Sequence, residues 1–220
     1  MDYRSRKMSL RHIALSSVGL LLLLAGLSFL APVQAQDIIA EWDHVQVPPP
    51  PPLAKVTLDP QSSALLILDL ATQTCSPTQR PRCIAMLPHV KALLSHARAK
   101  GMFVVYTLGA ASTTTDIYPE VAMQGGEPVV TSVPDKFIGT DLDALLKAKG
   151  IKTVIAVGSA AQGAVLHTAA GAAFRGYNVV VPVDGMAAEN LYAEQYTAWD
   201  LVNAPRLADR IKLTRIDWID

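Results

Sequence analysis

From residue 64 onward, short uninterrupted apolar runs alternate with longer segments of helical period, and that order leaves few architectures open. The runs are Ala64-Leu-Leu-Ile-Leu-Asp69, Met102–Thr107, Val129-Val130, Thr153–Gly158, Tyr177–Pro182 and Lys212–Ile216. A strand that stays apolar without alternating is one buried on both faces. Between the runs, Leu87–Lys100 carries Val90, Leu93, Leu94 and Ala97 on one helical stripe and stops at Gly101. A second helix is expected from a Thr140 cap to Lys149, ended by Gly150, and a third after Gly158, running to about Arg175. Repeated strand and helix order predicts a three-layer α/β/α domain with a mostly parallel, six-stranded, Rossmann-like sheet. Ligands of such sheets collect beyond the carboxyl ends of the strands. The places to examine are therefore Asp69, the Val130–Lys136 segment, the Gly158–Val165 turn and Asp184.

The start of the chain has a different logic. Arg4, Arg6, Lys7 and Arg11 precede an apolar stretch from Ile13 to Leu30, and Ala31-Pro-Val-Gln-Ala35 follows. This is the layout of a secretory signal over residues 1–35 with a cut before Gln36, and it predicts export to a periplasm or the exterior. A retained anchor is the alternative, since an apolar run of about 18 residues approaches bilayer-spanning length. Residues 36–58 read as a proline-rich linker, because Pro48–Pro52 favour extended polyproline geometry. Such a segment serves as a spacer or as a ligand for aromatic grooves. Residues 59–220 then form one domain. Without the leader the chain has fifteen basic and eighteen acidic residues, a net charge of −3. That excludes nucleic acid as an expected partner, and an anionic membrane once the leader is gone.

Several segments resemble the isochorismatase-like cysteine hydrolases. They are Lys136-Phe-Ile-Gly-Thr-Asp-Leu142, Lys149–Gly158, Ala164-Val165 with Thr168, and Gly176–Asp184. The resemblance spans about Ala64 to Asp184. It is most specific from Val154 to Thr168 and weakest over Gly109–Glu127. It implies hydrolysis of a small molecule at an amide C–N bond or a vinyl ether. In the amidases an Asp accepts the thiol proton, a Lys stabilises the charged pair, and a Cys attacks from a helix N-terminus, where its thiol pKa is lowered. Asp69 matches the family acid. The family lysine, nine residues before the Thr of the Phe-x-Gly-Thr motif, falls on Thr131, and the family cysteine falls on Ala164. Neither replacement can do the original chemistry. Relatives that cleave isochorismate have glycine at the cysteine position and rely on acid catalysis by the Asp, so activity does not require the thiol. The histidines of the metal-binding branch are missing from Thr107–Glu120, and neither metal nor cofactor is expected.

The candidates for catalysis are therefore Asp69 and Lys136. For Asp69 the ordinary alternative is a cap on the following turn. Lys136 is the only lysine near the vacated position and could swing its charge into the cleft; the alternative is a solvated loop lysine paired with Asp135. Thr131, Ala160, Ala161 and Ala164 are the candidates for substrate binding, the turn amides near Ala161 and Ala164 being donors for a carbonyl oxygen or carboxylate. Close helix–sheet packing explains the same small residues. His167 is a lesser candidate and Asp184 reads as structural. Cys75 and Cys83 have seven residues between them in a proline-rich loop of an exported chain, which predicts a local disulfide. A displaced nucleophile at Cys75 would need a free thiolate. The expected partner is a small molecule. The aromatics between Tyr192 and Trp199 either serve a homo-oligomer interface or pack on the domain.

Overall fold

The computed structural model describes residues 37–220, so the expected signal segment lies outside it. The chain divides into Met1–Val47 and Pro48–Asp220. In the described part of the first, α1 (Ile38–Glu41) is capped by Asp37, whose Oδ1 accepts the N–H groups of Ile39 and Ala40.

Pro48–Asp220 holds a seven-stranded sheet of order β3-β2-β1-β4-β5-β7, with β6 pairing off this path against β4. The strands are β1 (Ser63–Leu68), β2 (Phe103–Leu108), β3 (Val129–Thr131), β4 (Thr153–Ser159), β5 (Asn178–Pro182), β6 (Met186–Ala187) and β7 (Ile211–Thr214). Every pairing is parallel. All six expected strands are present, and β6 is the addition. Each residue of β1 is buried, and its side chains alternate between two cores. Ala64, Leu66 and Leu68 enter one with Leu142, Leu146, Ala169 and Ala172. Leu65 and Ile67 enter the other with Leu87, Val90, Leu93 and Leu94. The helices are α2 (Pro81–Ala99), α3 (Leu142–Ala148), α4 (Leu166–Phe174) and α5 (Leu191–Asn203). One core lies against α2 and the other against α3 and α4. The crossovers leaving β1 and β4 thus cover opposite faces, which opens the switch-point crevice between the carboxyl ends of these two strands.

Three local readings change. Helix α2 begins six residues before Leu87: Pro81 fits its first turn, and burial of Cys83 and Met86 on the Val90 stripe carries the helix through Pro88. The expected third helix opens instead with a π-helical turn, Ala161–Val165, before α4. From Pro48 onward the expected linker is bonded to the domain. Gln195 Nε2 donates to the Pro48 carbonyl at 2.7 Å, and the prolines lie beside Trp199, Val202, Ile211 and Leu213. Ala54 N–H then bonds to Leu213 O, and Val56 and Leu58 bond to Trp218 and Asp220. Chain that was expected to hang free covers the outer edge of β7, which blunts an exposed strand edge.

Helix α5 was not anticipated. Asn190 caps it by accepting from Ala193 N–H at 2.9 Å. Its buried face is Ala193, Thr197, Ala198 and Leu201, so the large aromatics point outward, Tyr192 being 68% exposed. Trp199, by contrast, is 37% exposed and lies beside the proline run.

Candidate functional site

Asp69 follows β1 directly, at φ +53°. Asp tolerates this left-handed conformation better than most side chains, and such strain clusters at functional sites. The backbone is held by Asp69 N–H on Thr107 O at 3.2 Å, and the Thr74 hydroxyl donates to Asp69 O. The carboxylate faces inward. Its Oδ1 accepts from Thr107 Oγ1 at 2.8 Å, and its Oδ2 lies 2.8 Å from Lys136 Nζ. The side chains of Lys136 and Asp69 are 1% and 9% exposed, so this ion pair is out of water.

Lys136 therefore is not a solvated loop residue and does not pair with Asp135. Its ammonium also donates to Leu108 O at 3.2 Å and Ser132 O at 3.1 Å. With the carboxylate, these engage all three ammonium hydrogens. The loop carrying Lys136 is fastened to α4: Lys136 N–H bonds to Thr168 Oγ1 at 3.3 Å, and Thr168 donates to Pro134 O at 3.0 Å. Asp135 turns away and accepts from Phe137 N–H at 3.0 Å. A methyl group at Gly171 would come within 2.7 Å of its Oδ1. Gly171→Ala is accordingly expected to destabilise the protein by about 1–3 kcal/mol in urea denaturation, as overpacking does. Adding Asp135→Ala removes the clash, so the double variant should lose less than the sum of the singles.

Thr131, by contrast, is exposed at the end of β3, two strands from β1, and is not brought to Asp69. The lysine five residues later has taken up the charge that the family position lacks. Thr107, which sequence reasoning missed, stands in β2 opposite Leu68. Its one legible sign was a polar residue ending an apolar strand.

The turn after β4 forms the other wall. Gly158 has φ +147°, and a Cβ there would meet Leu68 O at 2.0 Å, so glycine lets β4 lie tightly along β1. Ala160 is half-buried, and its carbonyl accepts from Gly163 and Val165 N–H. Ala161 and Ala164 are buried, and Ala164 offers no nucleophile. His167 is exposed on α4, and Asp184 Oδ1 accepts Ile216 N–H at 2.9 Å, a structural role. Cys75 and Cys83 are joined in a disulfide and are the only cysteines of the chain, which leaves no free thiol.

Their loop is strapped across this end of the sheet. Arg80 donates through Nη1 to Thr74 O at 2.5 Å and through Nε to Glu189 Oε1 at 2.7 Å. Ser159 Oγ reaches the same Thr74 carbonyl at 3.2 Å. Gln162 Nε2 donates to Glu189 Oε2 at 2.9 Å, and this bond, ahead of Arg80, holds the Glu189 carboxyl below its ordinary range.

The family model of the isochorismatase domain matches residues 63–211. N-carbamoylsarcosine amidase of Arthrobacter sp. is 29% identical over 167 residues, covering 59% of this chain and 63% of that protein. The chain thus spans less than two thirds of that relative. The secreted isochorismatase effector Isc1 of Verticillium dahliae is 30% identical over 142 residues, covering 59% of this chain and 75% of the effector. An isochorismatase family protein from Desulfovibrio vulgaris subsp. vulgaris str. Hildenborough has the same fold, with a TM-score of 0.65 at 21% identity over 71% of this chain and 95% of that one. With the Asp-bearing strand, the glycine turn and six of the seven strands inside the matched span, the chain belongs to the isochorismatase family.

Proposed function

We propose that this protein is an exported hydrolase that cleaves an amide C–N bond or a vinyl ether of a small molecule through Asp69, without a thiol nucleophile. The buried Asp69–Lys136 pair at the switch point carries the reading. Burying two charges costs several kcal/mol per ion before their attraction is counted, and a fold seeking only stability does better with apolar residues there. Lys136, its hydrogens engaged, holds the carboxylate in place and balances its charge. Asp69 keeps lone pairs on both oxygens for a proton.

In the amide reaction, Asp69 takes a proton from water as the oxygen adds to the carbonyl carbon. The C–N bond then breaks, and the same proton passes to the departing nitrogen. The amides of Ala161 and Ala164 polarise the carbonyl. A vinyl ether would instead need Asp69 to deliver a proton to the substrate. The disulfide and the secreted relative support export.

Asp69→Asn leaves Lys136 without its counter-charge and should cost stability; in protein that circular dichroism shows to be folded, it is expected to lower turnover by about 10²–10⁴-fold in a panel of small amides and vinyl ethers. Unchanged turnover would overturn the proposal. The closed ion pair and the alanine at position 164 also suit a second reading, a binding module without catalysis. That reading gains if the parent protein turns over nothing in the panel yet is stabilised by a small acid.

A further inference from the structure

The solvent face of α5 is aromatic. Tyr192, Tyr196 and Trp199 follow one another at intervals of four and three residues, which sets them on one stripe, and the rings of Tyr192 and Tyr196 stack at 6.4 Å. All three are exposed, leaving on the order of 300 Å² of aromatic surface in water. Pro48, Pro49, Pro50 and Pro52 are exposed too, and the run lines the same cleft as Trp199, so prolines and aromatics make one patch. With Leu191 added, the patch is of the size that marks an interaction site, and a large part of the about 800 Å² that each partner covers in a standard interface. Its chemistry says what covers it. None of residues 48–54 is charged, nor are Leu191, Tyr192, Gln195, Tyr196, Trp199 and Asn203, and the neighbouring Glu194 is engaged through both oxygens by Arg82. Such a face meets a copy of itself without like-charge repulsion. Its two halves are also complementary, because a proline run is a stiff ligand that aromatic side chains recognise. The chain holds one example within itself, where Pro48 O accepts from Gln195 of α5 and the prolines share the cleft of Trp199.

We propose that this face is the interface of a two-fold homodimer, in which Tyr192 and Tyr196 of each copy hold the proline run of the other. A two-fold contact uses one patch twice, so a face that carries both a ligand and its receptor closes on itself. The inference is independent of the activity proposed for Asp69.

Sedimentation equilibrium of the protein, purified without its leader, should show a reversible dimer with a dissociation constant on the order of micromolar. Tyr192→Ser/Tyr196→Ser should weaken it about a hundredfold, since each ring is lost from two junctions. Pro49→Ser/Pro50→Ser keeps the Pro48 carbonyl on Gln195 and should weaken it about tenfold, by loosening the run. All four positions are exposed, so circular dichroism should show both variants folded, and Tyr192→Arg replaces the serine pair if that one is not. Mixed in equal amounts, the tyrosine and proline variants should associate more tightly than either does alone, because the mixed dimer retains one intact junction. A parent that stays monomeric at about 100 µM overturns the proposal. That holds even if it binds a free hexaproline peptide, which would make an external proline-rich chain the occupant. A dimer indifferent to either pair of substitutions also overturns it. Loss with the tyrosine variant but no gain on mixing would mean that tyrosines meet tyrosines, and the proposed pairing falls.

Discussion

Lys136→Met is expected to destabilise the protein by about 3–5 kcal/mol, because it leaves the Asp69 carboxylate buried beside Thr107 with no counter-charge. The carbonyls of Leu108 and Ser132 lose their donor as well. Urea denaturation of the single variants and of Asp69→Asn/Lys136→Met completes a double-mutant cycle. The double variant should recover most of the loss, since replacing a whole buried pair by neutral groups is often tolerated where removing one partner is not. A single-variant cost below about 1 kcal/mol would mean that the pair behaves like an exposed one and that the crevice is open to water.

Ala164→Cys should create amidase activity by itself, at least about a hundredfold above the parent and abolished by iodoacetamide. Counting residues against the family pattern would demand a lysine at Thr131 too, but Lys136 already stands at Asp69. Adding Thr131→Lys should therefore bring no further gain, because position 131 is exposed. Position 164 is buried, and the added sulfur should cost about 1–3 kcal/mol of stability. With Cys75 and Cys83 bonded to each other, the new thiol is the only one available for reaction. A folded variant that hydrolyses no amide would show that the crevice, and not merely its nucleophile, has diverged.

The sheet was legible because a strand buried on both faces leaves an unmistakable apolar run, and β1 and β4 are such strands. Helix α5 was not. Its inward face is Ala193, Thr197, Ala198 and a single large residue, Leu201, while Leu191, Tyr192 and Tyr196 are exposed, which blurs the stripe that marks a surface helix. The proline run misled for a related reason. Prolines cannot donate to a ladder, yet the Pro48 carbonyl accepts from Gln195 on α5, and the residues that follow bond to Leu213 of β7 and to Trp218 and Asp220 beyond it.

At the site, the sequence alone determined that an acid ends the first strand, that alanine stands where the family keeps its cysteine, and that two cysteines are all the chain has. Those are statements about identity and order, and order is what strand and turn periodicity transmits. Only the tertiary structure decided where the charge of Lys136 resides. The tip of a long, flexible side chain goes where acceptors converge, and its acceptors come from Asp69, Leu108 and Ser132, on segments that meet only when the sheet assembles.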